Sequence, residues 1–158
     1  MKQTINLSVN GKDWPLEVEP HMALSECLRE DLALTGVRIS CNQGHCGACT
    51  VLLDGEPVNS CLTLAVDAVG KQITTIEGLA RDGKLDPLQQ AFIDHHGLQC
   101  GYCTPGMILS AKALLEENPH PTEPEIRESL AGNLCRCGSY QKIIQSIQAA
   151  GGETGGGA

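Results

Sequence analysis

Three thiols sit within nine residues at Cys41, Cys46 and Cys49, spaced C-x4-C-x2-C, and a fourth, Cys61, follows further along. Thiolates are soft ligands, suited to iron–sulfur clusters and zinc. The opening spacing is that of a loop that wraps its backbone around a [2Fe–2S] centre. Gly44 and Gly47 lie between the thiols, and glycine permits the positive φ and close approach that such a loop needs. A second set comes later, with Cys100 and Cys103 in a C-x2-C step and Cys135 and Cys137 in a C-x-C step. Eight of the nine cysteines thus form two sets of four. Zinc competes for such sets, but its sites usually combine two C-x2-4-C knuckles. Three ligands in one loop and a C-x-C pair both depart from that pattern. A disulfide framework is the third option, and it belongs to secreted chains.

The elements that must position these thiols change character near residue 80. Residues 2–9 alternate, with Ile5, Leu7 and Val9 on one side; Asn10-Gly11 signals a hairpin, and Trp14, Leu16 and Val18 alternate behind it. A helix fits about 23–33, with Leu24, Cys27, Leu28 and Leu32 on one stripe. Strands fit 50–53 and 72–76, with Asp54-Gly55 as a turn. The first half therefore reads as a mixed sheet crossed by one helix. Asp86-Pro87 opens a helix to about 96, with His95-His96 as a cationic end suited to its dipole. Helices also fit 104–117, from the capping box at Thr122-Glu123-Pro124-Glu125 to about 131, and from Ser139 onward. Both later cysteine pairs thus lie at helix N-termini, where free N–H groups and the dipole favour an anion. A four-thiolate [2Fe–2S] centre is such an anion, roughly −2 oxidised and roughly −3 reduced.

The remaining composition excludes other classes. The net charge is −8, which argues against nucleic acid or an anionic membrane as partner. No apolar run approaches the ~18 residues of a membrane span, so no direct membrane insertion is expected. The N-terminus carries no apolar signal segment, and cytoplasm is the expected location, with export on a partner's signal left open. No P-loop, G-x-G-x-x-G or Ser-His-Asp set is present, so no catalytic residue and no substrate site is expected on this chain. Cys27 is left over as a buried structural thiol. His45 reads as a surface residue, since four cysteines already serve that site. Tyr102 reads as a shield between two ligands, and Arg136 as a packing or tuning residue.

The stretches Cys41–Thr50 (CNQGHCGACT), Cys61, Gln99–Met107 (QCGYCTPGM) and Gly132–Gly138 (GNLCRCG) together resemble the iron–sulfur subunit of the molybdenum hydroxylases, the xanthine dehydrogenase, aldehyde oxidoreductase and carbon monoxide dehydrogenase family. The match spans roughly residues 3–148. Gly138-Ser139-Tyr140 stands where many relatives have Thr-Gly-Tyr. The resemblance implies an α+β fold: a plant-type ferredoxin-like β-grasp domain over 1–78 and a four-helix [2Fe–2S] domain over 79–150; the glycine-rich composition of 151–158 predicts a disordered tail. The resemblance also implies one cluster on Cys41, Cys46, Cys49 and Cys61 and another on Cys100, Cys103, Cys135 and Cys137. Molybdenum-pterin then lies on a large partner subunit, where Gln99 contacts the pterin. Electrons pass from molybdenum to the second set, then to the first, then to FAD on a medium subunit or haem on a cytochrome. The complex oxidises a heterocycle or aldehyde. Carbon monoxide oxidation and reductive dehydroxylation of an aromatic thioester (hydroxybenzoyl-CoA) are the alternatives within the family. A free-standing ferredoxin-type carrier is the alternative outside it.

Overall fold

A computed structural model describes residues 1–154 of the chain. Five strands form one sheet: β1 (Gln3–Val9), β2 (Lys12–Val18), β3 (Thr50–Leu53), β4 (Glu56–Asn59) and β5 (Gln72–Thr74), in the order β2-β1-β5-β3-β4. β1 and β5 run parallel, and the other pairs are antiparallel. Both hairpin turns place two successive residues at positive φ, Asn10 with Gly11 and Asp54 with Gly55. That conformation matches the twist of the flanking strands, which is why Asn-Gly and Asp-Gly appear there. Pro15 and Pro57 lie in β2 and β4, the two edge strands, where a missing N–H is tolerated. The edge strand β4 was not foreseen; Pro57 weakens any strand signal there.

The helix expected over 23–33 is shorter and wider. α1 (Leu24–Glu26) passes directly into a π-helical turn, Cys27–Asp31, closed by the Leu32 N–H on the Cys27 carbonyl at 3.3 Å. Ala33, at φ +56°, then ends it. The wider turn still leaves Leu24, Cys27, Leu28 and Leu32 in the core. Burial, helped by Asp31, pushes the Cys27 thiol up to about 12, as suits an inert structural residue.

The helical half contains α2 (Pro87–Asp94), α3 (Thr104–Glu117), α4 (Glu123–Ser129) and α5 (Tyr140–Thr154). Phe92, Leu88, Met107, Leu109, Ile126, Ile143 and Ile147 fill its centre. The two cores meet across β3. Val51 and Leu53 face the α1 side, while Leu52 packs among the side chains of the helical half. All four residues of β3 are therefore buried. The tail expected to be disordered from residue 151 is corrected in part, because α5 continues to Thr154. Gly151 is buried there, where an added Cβ would meet the Pro119 carbonyl at 2.6 Å. This close packing at the end of α3 holds the extra turn. Residues 155–158 lie outside the described residues.

The capping boxes are present at α2 and α4. At α4 the Thr122 N–H and hydroxyl both donate to the Glu125 carboxylate at 2.6 Å, which holds Glu125 below the usual carboxylate range. Its contribution to stability is present above the unfolded carboxylate pKa and is lost as pH falls through the lower folded value. Glu125→Gln is expected to lower the melting temperature at pH 7, with the difference closing below about pH 4. A gap independent of pH would show that the charge plays no part.

Candidate functional site

The loop 41–49 connects the π turn to β3. Asn42, Gly44 and Gly47 all take positive φ, which curls the backbone around its own sulfurs. The N–H groups of Gln43, His45 and Cys46 point to Cys41 Sγ at 3.4, 3.3 and 3.4 Å, and that of Ala48 points to Cys46 Sγ at 3.5 Å. These donors, Gln43 first, lower the Cys41 thiol to about 6. Cys61 is brought in by its own turn: Ser60 donates to the Cys49 carbonyl at 2.6 Å, and Ser25 N–H binds the Ser60 carbonyl at 3.1 Å. Burial first, then the adjacent Cys49 thiol, push Cys61 up to about 11. The four sulfurs are thus neighbours, Cys41 beside Cys46 and Cys49 beside Cys61. The Leu62 side chain occupies the space that a Cβ on Gly44 would need, so an apolar cap lies over the loop.

The second set gathers at two helix starts. Cys103 is the N-cap of α3, and Cys135 and Cys137 precede α5. Cys103 lies against Cys135, and Cys100 against Cys137. Burial pushes Cys103 up to about 12. The Tyr102 N–H and the Cys137 thiol hold Cys100 below the ordinary thiol value. Burial acts to raise Cys135, but the N–H groups of Ser139, Cys137 and Gly138, with the Cys103 thiol, outweigh it and bring it down. The Ser139 N–H lies 3.4 Å from Cys135 Sγ. Ser139 Oγ is buried without a protein partner, a polar atom left beside the sulfurs.

Both sets fit a negatively charged iron–sulfur group. The donors are all thiols, and backbone N–H groups aim at sulfur where positive φ curls the loop. The thiols group two by two, as two iron atoms would require; among the described residues no three donors gather around one ion position. The sets differ in exposure. Cys49 is buried and Cys41, Cys46 and Cys61 are half-buried; in the second set Cys135 is buried and Cys103 half-buried, whereas Cys100 and Cys137 are exposed beside an exposed Gln99. His45 and Arg136 are exposed. Tyr102 is 43% exposed; its hydroxyl donates to the Ile39 carbonyl at 2.6 Å, and Arg38 stacks on its ring at 5.6 Å.

Between the sets lies a contact that sequence reasoning missed. The Leu134 N–H donates to the Cys46 carbonyl at 2.9 Å. Asn133, buried, donates through Nδ2 to the Gly47 carbonyl at 3.1 Å and to Thr50 Oγ1 at 3.3 Å, and accepts from Ser110 Oγ at 2.8 Å. The only sequence trace is the Asn next to the C-x-C pair.

Comparison with known proteins agrees with this arrangement. The 2Fe-2S iron-sulfur cluster binding domain family matches residues 7–76, and the [2Fe-2S] binding domain family matches residues 75–148. The chain is 51% identical to the nicotinate dehydrogenase small FeS subunit of Eubacterium barkeri, over 94% of this chain and 95% of the relative. It is 48% identical to the aldehyde oxidoreductase iron-sulfur-binding subunit of Escherichia coli (strain K12), over 94% and 72%. The structure of quinoline 2-oxidoreductase from Pseudomonas putida 86 superposes with TM-score 0.94 at 49% identity, covering 99% of this chain and 98% of that one. The aldehyde oxidoreductase of Desulfovibrio gigas superposes at 0.92 and 42% identity, with this chain spanning 17% of it. A protein with two [2Fe–2S]-binding domains, one on a ferredoxin-like sheet and one helical, is an electron-transfer component. The chain belongs to the small iron–sulfur subunits of the molybdenum hydroxylases, the xanthine dehydrogenase and aldehyde oxidoreductase family. Among the described residues no helix is long and apolar enough to cross a membrane.

Gly47 tests how tightly the sets are held. At φ +70° it strains any other residue by about 1–3 kcal/mol. An added Cβ would also strike the Gly132 carbonyl, and Asn133 Nδ2 at 2.7 Å. Gly83, at φ +74°, has nothing within 4 Å. Gly47→Ala is therefore expected to lower the unfolding temperature clearly more than Gly83→Ala. Equal losses would mean that the loops tolerate a methyl group between them.

Proposed function

We propose that Cys41, Cys46, Cys49 and Cys61 hold one [2Fe–2S] cluster and that Cys100, Cys103, Cys135 and Cys137 hold the other. The observation that supports this is the grouping of eight thiols into two sets, each with backbone N–H groups directed at sulfur. When bound, each cluster takes up and returns one electron at a time, which divides a two-electron oxidation on a partner into single steps. The chain's own residues supply the rest. The N–H groups around Cys41 and Cys135 stabilise the negative charge of the bound group. Leu62, packed at Gly44, and the burial of Cys49 shield part of the first set. The division between the domains falls at 78/79, in the short 3-10 turn after β5.

The open side, with Cys100, Cys137 and Gln99, faces the large molybdenum-binding subunit, and Gln99 contacts the pterin there. The side with Cys41 and Cys61 faces the acceptor, FAD on a medium subunit or haem on a cytochrome. Relatives named for nicotinate, nicotine, quinoline and aldehyde favour a heteroaromatic or aldehyde substrate for the whole complex. The proposed setting of the complex is the cytoplasm.

Two measurements test this reading. Iron and acid-labile sulfide in the purified chain are expected at about four each per molecule; zinc in their place overturns the assignment. In the complex, Gln99→Ala is expected to leave both cluster spectra unchanged while slowing substrate-driven reduction of the chain. An unchanged rate removes Gln99 from the contact with the pterin.

A further inference from the structure

The two thiol sets are joined by one backbone hydrogen bond. From Cys135 Sγ the covalent chain runs through Cβ, Cα and the Cys135 nitrogen to the Leu134 carbonyl carbon, Cα and N–H. That N–H donates to the Cys46 carbonyl oxygen at 2.9 Å. From there the chain runs through the carbonyl carbon, Cα and Cβ to Cys46 Sγ. Every other link is a covalent bond, so this hydrogen bond is the one gap whose length the fold must set. Leu134 is 53% exposed, so its own side chain is not what holds the bond in place.

The neighbouring residue is placed to hold it. Asn133 is 5% exposed, and all of its carboxamide is engaged. Nδ2 donates to the Gly47 carbonyl and Thr50 Oγ1, and Oδ1 accepts from Ser110 Oγ of α3. The Gly47 carbonyl also accepts from Thr50 Oγ1 at 2.7 Å. Gly47 follows Cys46 and Asn133 precedes Leu134. The carboxamide therefore pins the residue beside each end of the Leu134–Cys46 bond. Bare glycine backbone permits the approach: a Cβ on Gly106 would strike the Gly47 carbonyl, and one on Gly47 would strike that of Gly132. The Tyr102–Ile39 bond also spans the halves, but it lies at an exposed ring and ends two residues short of Cys41.

We propose that Asn133 is a positioning residue for electron transfer between the two sets, holding the Leu134 N–H on the Cys46 carbonyl as the bridge. This rests on the ligand assignment given above. One electron passes from one thiolate-held centre to the other; the donor is oxidised and the acceptor reduced. No bond forms or breaks, and no proton moves.

The test uses Asn133→Asp and Ser110→Ala in the assembled complex. Asp matches Asn in size but, when ionised, donates no hydrogen bond and places charge against the Gly47 carbonyl. Ser110→Ala leaves the carboxamide in place with its oxygen unpartnered, a milder disturbance. Each reduced centre is paramagnetic, so molecules with both reduced show a magnetic splitting that reports their coupling. The expected result has both individual signals retained, the splitting changed, and electron transfer between the centres slowed. The effect is larger for Asn133→Asp than for Ser110→Ala. Unchanged splitting and rate in both variants overturn the proposal, even if both unfold at lower temperature. So does loss of a centre in Asn133→Asp combined with wild-type coupling in Ser110→Ala. Wild-type protein that shows fewer than two such signals instead sinks the ligand assignment itself.

Discussion

The close approach of two loops through bare backbone is the constraint on which the rest of the molecule depends. The Cys41–Cys49 loop and the segment before Cys135 meet at Gly47, where no side chain can stand, and Gly106 of α3 packs bare against the same loop. Such contact is possible only if the sheet and the helices are held in one fixed relation. β3 supplies that relation. Its residues alternate between two cores, so the strand that leaves the first thiol loop is also a wall of the helical half. Packing energy from both sides thus fixes the spacing of two sites that share no side chain.

Electrostatics makes the same demand on each site separately. A thiolate-rich group is anionic, and burying an anion is costly unless donors surround it. The first set meets this with a curled loop whose N–H groups converge on Cys41. The second meets it with the N–H groups of Cys137, Gly138 and Ser139 at Cys135, in the turn that leads into α5, and with that of Tyr102 at Cys100. The local solutions differ because the elements differ. A loop between a π turn and a strand has no helix end to offer, so positive φ at Asn42, Gly44 and Gly47 takes its place.

Much of this was legible in the chain itself because it is written locally. Asn10-Gly11, Asp54-Gly55, Asp86-Pro87 and Thr122-Glu125 each act within a few residues, and each marks the turn or helix start observed. Cysteine spacing is local in the same sense, and the family resemblance rested on it. What escaped was set by distant packing. The π turn at Cys27–Asp31 keeps four apolar residues in the core without leaving a mark in a 3–4 periodicity. The final turn of α5 forms in a glycine-rich stretch because Gly151 fits under the Pro119 carbonyl. Asn133 reads as an ordinary polar residue beside a motif; its partners Thr50 and Gly47 lie more than eighty positions away.

The same geometry explains why a second, helical domain accompanies a ferredoxin-like one at all. A single half-buried site could exchange electrons only with what reaches its own rim. The helical half adds a site that opens at Cys100 and Cys137 and stays backbone-linked to the first. Burying both would close the chain to its partners. Each set instead keeps one thiol buried, Cys49 and Cys135, while Cys100 and Cys137 stay open at the rim and the Leu134–Cys46 hydrogen bond lies between the two sets.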